Sequence, residues 1–331
     1  MSELKTPAAI SHAGLIGLGV YRPTRVVPNS EIVDAIDSSD EWIRERSGIV
    51  ERRFAGPDET AASMGSIAAK NALVDAGLTA DQIDVVLVAT FSHRYQTPSA
   101  AVEVAAAIGA ANASAFDISA ACAGFCYGIG LADSMVRAGT AKYVLVIGTE
   151  KLSDIINMSD RGTAFIFADG AGAVVVGPTE KQGIGPTVWG ADGNAREAII
   201  MEPDLVTAGK QGVPSFLTMQ GQAVFRWAVG SMGEVCQRAL DAAGMTANDL
   251  KAFVPHQANI RITDAIVKRF NFPQSVVVAK DIQTAGNTSA ASIPLALHAL
   301  RESGQVKKGD SFLMVGFGAG LAYASQVALV P

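Results

Sequence analysis

The sequence predicts an α/β protein built from two similar halves. The segments LVDAGLTADQIDVVLVAT, from Leu73, and LDAAGMTANDLKAFVPHQ, from Leu240, resemble each other, and their glycines Gly77 and Gly244 are 167 residues apart, about half of the chain. Each segment has the pattern of a helix end, a glycine stop, a short polar turn and an apolar strand. The recurrence of this composite pattern favours a duplicated α/β unit.

Two further pairs of segments occur at similar spacing and in the same order. YVLVIGTE, from Tyr143, corresponds to FLMVGFGAG, from Phe312. DISAACAG, from Asp117, falls opposite TAGNTSAAS, from Thr284. We therefore expect the two halves to pack about a pseudo-twofold axis.

Short apolar runs account for the predicted sheets. Runs rich in Val, Leu and Ile are typical of strands buried on both faces, and they occur at Val85–Ala89, Val144–Ile147, Ala173–Val176 and Phe312–Val315. Helical patterns alternate with these runs, and buried helices between the sheets would explain the many small residues. We expect residues 1–178 to form the N-terminal half and residues 179–331 the C-terminal half. Between Gly190 and Val213 the pattern is weak, which predicts a long surface loop.

Composition and charge exclude several classes of protein. Of the 331 residues, 49% are apolar and 18% are charged, which is typical of a globular chain with a sizeable core. The net charge of −6 argues against a nucleic-acid-binding protein. No apolar run of membrane-spanning length occurs, and the start, MSELKTPAAI, lacks the pattern of a secretion signal. The three cysteines are an odd number and predict reduced thiols in a cytoplasmic protein.

Cys122 lies in the stretch FDISAACAGFCYGIG, among small residues. The pattern predicts an extended segment over residues 116–119 and a helix over residues 123–136, so the thiol would lie at a helix N-terminus. The positive end of a helix dipole favours thiolate, and small neighbours allow a substrate to approach. Alternatively, Cys122 is a small core residue, as free cysteines usually are. We interpret Cys126 and Cys236 as core residues, and no metal site has credible ligand spacing.

Two polar residues of the second half are candidates for the same site. His256 ends an apolar strand in FVPHQANIRI, and the repeat places that strand end beside those of the first half, where ligands bind in α/β sheets. Asn287, in TAGNTSAASIP, would face Cys122, unless it is an ordinary helix cap. The glycines of GFGAG could direct backbone N–H groups toward an oxyanion or form a tight connection, and the residues alone leave both open.

Two other classes of protein agree poorly with these patterns. Papain-like proteases also have a Cys before a His, and the gap of 134 residues here fits, but their signature around the Cys is absent. GLIGLG, from Gly14, has the spacing G-x-x-G-x-G and not the G-x-G-x-x-G of dinucleotide-binding proteins.

The motifs along nearly the whole chain resemble β-ketoacyl-ACP synthase III, the thiolase-fold enzyme that starts bacterial fatty-acid synthesis. The resemblance rests on GLGVYRPTRVVPN, DSSDEWIRERSGI, RGTAFIFADGAGAVVVG, PHQAN, GNTSAASIP and GFGAGLAYA. It implies a thiolase-like fold with duplicated α/β halves in a layered α-β-α-β-α arrangement. It also implies a homodimer, acyl-CoA and malonyl-acyl carrier protein (ACP) as substrates, and no cofactor or metal.

The resemblance implies a catalytic triad of Cys122, His256 and Asn287. Cys122 would accept an acyl group from acyl-CoA. His256 and Asn287 would hold the thioester carbonyl of malonyl-ACP while it loses carbon dioxide and becomes an enolate. The backbone N–H groups of Cys122 and Ala319 would form a second oxyanion hole. Family members often have Gly where Ala319 stands, and a backbone donor survives that change.

The resemblance also implies binding residues around the triad. Trp42 and Arg161 would sandwich the CoA adenine, with Arg46 and Asn259 at the same entrance. A basic surface would dock the acidic ACP; it comprises Arg226, Arg261, Lys268 and Arg269. Thr97 would close the acyl pocket across the dimer interface and leave room for primers that are longer than acetyl or branched.

Several related functions remain as alternatives. A starter-unit ketosynthase of a polyketide or other secondary-metabolite pathway would have the same triad. A biosynthetic thiolase needs a second catalytic Cys, and Cys236 lies outside any such motif. A hydroxymethylglutaryl-CoA synthase needs an acid/base Glu, which the sequence does not place. A non-catalytic acyl-binding homologue would not be labelled covalently at Cys122.

Overall fold

The computed structural model describes residues 7–331. The first six residues, on which part of the prediction about a secretion signal depends, lie outside the described residues. The strands are β1 (Ala13–Tyr21), β2 (Arg25–Pro28), β3 (Glu51–Phe54), β4 (Val85–Ala89), β5 (Ser114–Ile118), β6 (Val144–Lys151), β7 (Asp169–Pro178), β8 (Val188–Gly190), β9 (Ile199–Glu202), β10 (Phe216–Met219), β11 (Ala252–Pro255), β12 (Val277–Val278), β13 (Ser311–Gly318) and β14 (Ala322–Leu329). The α-helices are α1 (Asp40–Ser47), α2 (Ala61–Ala76), α3 (Ala100–Ile108), α4 (Gly124–Arg137), α5 (Leu205–Gln211), α6 (Gly221–Ala243), α7 (Ile260–Phe270), α8 (Ile282–Ala285) and α9 (Ser292–Glu302).

Two five-stranded sheets have the same strand order and directions. The first runs β5-β4-β6-β7-β1 and the second β12-β11-β13-β14-β8. In each sheet the second strand is parallel to its two neighbours, and the fourth is antiparallel to both of its neighbours. This correspondence confirms the predicted duplication of an α/β unit.

Helices cover both sheets and fill the space between them. Helices α4 and α9 pack in one core with strands of both sheets, through residues such as Phe125, Ile129 and Leu297. Helices α2 and α3 pack on the outer face of the first sheet, and α6 and α7 on the outer face of the second. The layers are therefore α-β-α-β-α, the predicted thiolase-like arrangement.

The repeated turns have the same local structure in both halves. Gly77 and Gly244 end α2 and α6 with φ of 65° each, in the left-handed region that glycine adopts without steric cost. Each is followed by a threonine that caps a short 3₁₀ helix before the next strand, Thr79 ahead of β4 and Thr246 ahead of β11. Local chemistry thus fixes the same entry into both sheets.

The glycines of GLIGLG serve helix packing. A Cβ atom at Gly17 would lie 2.4 Å from the carbonyl oxygen of Ala72, and one at Gly19 would lie 2.2 Å from the Ala72 nitrogen. Only glycine lets β1 approach α2 this closely. The motif therefore has a structural explanation that involves no dinucleotide.

The segment from Gly190 to Val213 contains regular structure, so the predicted long loop is wrong. A 3₁₀ helix, strand β9 and helix α5 occupy most of it, and β9 pairs antiparallel with β10, which follows the segment. The two-stranded unit of β9 and β10, here called the flap, packs its apolar residues against the loops that carry α1 and residues 152–167. A strand pair of four residues each shows too little alternation to be recognised in the sequence.

Candidate active site

A cavity of about 790 Å³ contains the three predicted catalytic residues. Its walls come from the loop before α4, the end of β11, the turn before α9 and the flap. Cys122, His256 and Asn287 all line it, although 165 residues separate the first from the last. The pseudo-twofold arrangement is what brings these strand ends and helix starts to one place.

Cys122 lies immediately before α4, in a 3₁₀ turn that spans Ala121–Ala123. Ala121 has a φ of 44°, a conformation that costs energy for a residue with a Cβ, and such strain is typical of functional sites. The thiol is buried at 8% exposure, and burial raises its pKa to about 12. Burial therefore opposes the preference for thiolate that was expected from the helix N-terminus, because loss of water disfavours the charged form.

Close backbone approach brings β13 next to the thiol. A Cβ atom at Gly318 would lie 2.9 Å from Cys122 Cβ and 3.1 Å from its Sγ. Ala319, the next residue, begins a short turn and lines the cavity. Among the turn and loop bonds of residues 7–331, neither the Cys122 N–H nor the Ala319 N–H donates to a backbone carbonyl.

His256 follows β11 and is held by a serine of α9. Its Nδ1 lies 2.7 Å from Ser292 Oγ, which also accepts a hydrogen bond from the N–H of Gln257. Its ring contacts Phe317 edge-on, with the centroids 5.2 Å apart. Burial lowers the pKa of His256 to about 3, so the imidazole is neutral at pH 7. With Nδ1 engaged by the serine, Nε2 is the nitrogen left for a substrate.

Asn287 is fixed by both halves of the protein. Its backbone pairs with the segment around Phe167 through hydrogen bonds to Ile166 O and from Ala168 N, each 2.9 Å long. Its side-chain Oδ1 accepts the N–H of Ser289 at 2.8 Å. The side-chain NH₂ is then the group that Asn287 presents to the cavity, as a hydrogen-bond donor.

A buried acid behind the cysteine was missed in the sequence. Glu150, at the end of β6, is fully buried, and its Oε1 accepts the hydroxyl of Ser289 at 3.2 Å. The turn that carries Ser289 packs against the turn that carries Cys122, and the Ser289 hydroxyl acts to lower the pKa of the thiol. Burial raises the pKa of Glu150 to about 7. The signal in the sequence was a Glu-Lys pair that closes the otherwise apolar strand VLVIGTEK.

Trp42, Arg46, Arg161 and Asn259 lie together at the mouth of the cavity. The guanidinium groups of Arg161 and Arg46 lie 4.7 Å and 5.6 Å from the centroid of the Trp42 ring. Asn259 caps α7 by accepting the N–H of Arg261, and its Nδ2 donates to Arg46 O at 2.9 Å. The structure therefore groups the predicted CoA-binding residues, with Arg161 stacked directly on Trp42.

The four predicted docking residues lie on neighbouring exposed surfaces of α6 and α7. Arg226 and Arg261 also reach the cavity mouth, and the Arg261 guanidinium lies 5.4 Å from the ring centroid of Phe225. Lys268 and Arg269 are exposed in the last turn of α7. Arg226 and Arg261 thus form a basic rim on one side of the entrance, and Lys268 and Arg269 extend the exposed positive charge along α7.

Thr97 is exposed and does not line the cavity of the single chain, whose described part is residues 7–331. The flap contributes part of the apolar wall, through Ile199, Met201, Leu217 and Met219. These flap residues were missed because the sequence pattern there predicted a loop.

Comparison with known proteins settles the family. Two family models match the chain: 3-oxoacyl-[acyl-carrier-protein (ACP)] synthase III over residues 116–193, and the C-terminal model of that synthase over residues 240–329. The β-ketoacyl-[acyl-carrier-protein] synthase III of Streptomyces glaucescens is 53% identical over 333 residues, with both chains covered completely. The chain belongs to the β-ketoacyl-ACP synthase III family.

Further relatives include a mycobacterial synthase and the priming ketosynthase of a polyketide pathway. The mycobacterial β-ketoacyl-ACP synthase III of Mycobacterium tuberculosis is 53% identical, with 100% of this chain and 99% of that one covered. The priming β-ketosynthase of the R1128 polyketide pathway has a TM-score of 0.97 at 45% identity, over 100% and 99% of the two chains. The synthase III of Aquifex aeolicus VF5 has a TM-score of 0.89 at 42% identity, over 96% and 100%.

Membership in this family establishes that the protein is a condensing acyltransferase with a thiolase-like fold. Within residues 7–331, no helix has the length and apolarity needed to cross a membrane. The same residues contain no cluster of three His, Cys, Asp or Glu side chains arranged to hold a metal ion. Cys236 is buried in α6, away from the cavity lining.

Proposed function

We propose that the enzyme condenses an acyl-CoA primer with malonyl-ACP to give 3-oxoacyl-ACP, carbon dioxide and CoA, through an acyl-Cys122 intermediate. The observation that carries this proposal is the convergence of a thiol, a neutral imidazole and an amide NH₂ on one cavity. The two thioesters are substrates, and the reaction needs no further cofactor.

In the first half-reaction, Cys122 Sγ attacks the thioester carbonyl of the acyl-CoA. Negative charge develops on the carbonyl oxygen, and the backbone N–H groups of Cys122 and Ala319 stabilise it. The bond to the CoA sulfur then breaks, and the acyl group stays on Cys122.

In the second half-reaction, malonyl-ACP loses carbon dioxide. The electron pair of the broken C–C bond moves into an enolate, whose oxygen accepts hydrogen bonds from His256 Nε2 and the Asn287 NH₂. A neutral His256 serves as a donor here without having to gain a proton. The enolate carbon attacks the acyl-Cys122 carbonyl, and Cys122 leaves.

Binding of the two carriers is proposed for the mouth of the cavity. The Trp42 and Arg161 pair, with Arg46 and Asn259 beside it, suits an adenine ring and its phosphates because these residues stack and pair with anions. The basic rim of α6 and α7 suits the acidic surface of ACP, since complementary charge accelerates association.

A homodimer is proposed on the free edge of the first sheet. Strand β5 pairs with β4 alone within the described residues, and Phe116 on it is 39% exposed. Exposed apolar side chains, including Tyr95 and Val102, lie near Thr97 in sequence. In such a dimer Thr97 would reach the acyl pocket of the second copy and influence primer length.

A starter-unit ketosynthase of a polyketide pathway is a second candidate function. The observation that favours it is the similarity to the R1128 priming β-ketosynthase, at a TM-score of 0.97. Both functions use the same proposed triad and differ in the acyl donor, so the preferred acyl chain distinguishes them.

Intact-protein mass spectrometry after incubation with acyl-CoAs of increasing length tests the proposal. We expect an acyl adduct on the wild type and none on Cys122→Ser, followed by loss of the adduct and release of 3-oxoacyl-ACP when malonyl-ACP is added. The best-loaded chain reports the pocket length. Absence of an adduct with every acyl-CoA and every acyl-ACP would contradict the proposal.

A further inference from the structure

We propose that Glu150 and Ser289 form a proton relay that takes the proton of the Cys122 thiol during acylation and returns it during condensation. The inference rests on the proposed acyl-Cys122 intermediate. It assigns a positioning role to Glu150, which contacts the reacting sulfur only through Ser289.

The geometry of the relay is a buried sequence of contacts from Glu150 to Ser289 to Cys122. The Ser289 hydroxyl donates to Glu150 Oε1 at 3.2 Å, and Ser289 lies in a turn that packs against the turn of Cys122, where its hydroxyl acts to lower the pKa of the thiol. Ser289 begins the 3₁₀ turn Ser289–Ala291 before α9, which matches the turn Ala121–Ala123 that carries Cys122 before α4. The pseudo-twofold arrangement packs these two turns against each other and so brings Ser289 close to the nucleophile.

The surroundings of Glu150 suit a group that changes charge. Its Oε2 accepts hydrogen bonds from the backbone N–H groups of Phe91 and Ser92 and from the hydroxyls of Thr90 and Ser92. These donors stabilise the carboxylate, while complete burial favours the neutral acid. The opposing effects leave its pKa at about 7, where either form is accessible.

Other charged groups near this site are engaged elsewhere. Lys151, the next residue on β6, donates to two backbone carbonyls of the loop before α2. Asp169, opposite Lys151 on β7, accepts bonds from Ser153 and from a backbone N–H. His256 is hydrogen-bonded to Ser292 through Nδ1 and is neutral. Cys122 is the titratable group whose pKa the Glu150 charge raises.

The proton balance closes over the two half-reactions. In acylation the thiol proton moves to Ser289 Oγ as the Ser289 proton moves to Glu150, Sγ bonds to the acyl carbon, and CoA leaves as a thiolate. In condensation the carboxylate of the malonyl group leaves as carbon dioxide, the new C–C bond forms, and the Cys122 thiolate recovers its proton from Glu150 through Ser289. Glu150 is then ionised again, and the CoA thiolate takes a proton from water.

The test measures the rate of Cys122 acylation in a single turnover as a function of pH, with the adduct detected by intact-protein mass spectrometry. We expect the wild-type rate to rise with pH and to level off above an inflection near pH 7, where Glu150 becomes the acceptor. Glu150→Gln keeps the shape of the side chain and removes the acceptor, so the rate at pH 8 should fall by about 100-fold and the inflection should disappear. Ser289→Ala should cause the same loss with Glu150 intact.

Thr90→Val is the matched variant that distinguishes a titrating Glu150 from one with a purely structural role. It removes one donor to Oε2, on the side of the carboxyl group away from Cys122, so the relay persists and the pKa of Glu150 rises. The inflection should move to higher pH with an unchanged plateau, and Thr90→Ser should behave as the wild type. If Glu150→Gln or Ser289→Ala fails to fold, an unmoved inflection in Thr90→Val would still overturn the proposal.

Alkylation of Cys122 by iodoacetamide separates this inference from the proposed function. It needs deprotonation of the thiol and no acyl transfer, so the wild type should show the same inflection and Glu150→Gln should lack it. A wild type that forms no acyl adduct but shows this inflection would defeat the proposed function alone. Glu150→Gln with a wild-type inflection and a rate within about twofold in both assays would overturn the relay.

Discussion

At the scale of single residues, the site depends on how closely β13 approaches Cys122. Gly318 has a φ of −178°, which any residue can adopt, so the requirement for glycine there is steric. An added methyl group would meet the Cβ, N and Sγ atoms of Cys122 at 2.9–3.1 Å, closer than carbon atoms normally pack.

Gly318→Ala should therefore displace the nucleophile and leave the fold intact. We expect acylation of Cys122 to slow by about tenfold or more, since small misplacements of reacting atoms are costly. The measurement is the rate of adduct formation by mass spectrometry. Gly221→Ala is the control, because it adds the same methyl group at the same cavity with no atom closer than 3.9 Å. Equal rates for the two variants would contradict the steric argument.

At the scale of elements, α1 and the loop with Arg161 form a closed pair over the cavity mouth. The Arg161 guanidinium lies 4.7 Å from the Trp42 ring centroid. An adenine between them needs about 7 Å, which is two contacts of about 3.5 Å. The pair must open by about 2 Å when CoA binds, and an exposed arginine can make that movement.

Arg161→Ala should weaken binding of acyl-CoA with little effect on the chemical step. The loss of one exposed cation–π contact corresponds to about a two- to fivefold rise in KM, with kcat unchanged. Acyl-pantetheine lacks the adenine, so its KM should not change, and this comparison isolates the stacking interaction. Arg44→Ala is the control variant, because Arg44 lies on α1 beside Trp42 but pairs with Asp40. An equal rise for both substrates would argue against an adenine site.

The flap shows what an element of two short strands can contribute. Strands β9 and β10 have four residues each, and their apolar side chains complete the cavity wall. A unit of this size does not fold alone, so its position comes from packing against the rest of the protein. That dependence makes the flap a determinant of pocket shape that only the folded chain reveals.

At the scale of the whole molecule, the duplicated halves bury charged groups between them. We propose that the halves meet near residue 178, where β7 ends, because Ile184 already bridges to Ala328 of the second sheet. Glu150 of the first half and Ser289 of the second are bonded across this junction. Folding thus encloses an acid that is readily ionised in the unfolded chain.

This enclosure predicts a pH-dependent stability. The pKa of Glu150 is about 7 in the folded protein, above its ordinary value of 4.5. The contribution of Glu150 to the free energy of unfolding is therefore most favourable below about pH 4.5 and is lost as the pH rises to about 7. Glu150→Gln, which stays neutral, should be more stable than the wild type at pH 8, by a value on the order of 3 kcal/mol at most. Thermal melts at pH 5 and pH 8 measure this.

The difference in stability between Glu150→Gln and the wild type should become small at pH 5, where Glu150 of the folded wild type is mostly protonated. Glu197→Gln, at a side chain 70% exposed, should match the wild type at both pH values. A stability gap of Glu150→Gln that is equal at pH 5 and pH 8 would show that the acid is not titrating in this range.

The sequence by itself determined the duplicated α/β fold, because glycine stops, threonine caps and buried strands are local patterns that recur in both halves. It also pointed to Cys122, His256 and Asn287, through the strand and helix ends where they stand and through the family motifs. The remaining features depend on tertiary contacts. The raised pKa of Cys122, the bond from Ser289 to Glu150 and the flap wall arise from burial and contacts between residues far apart in the chain, and no local pattern encodes how much water a folded interior excludes.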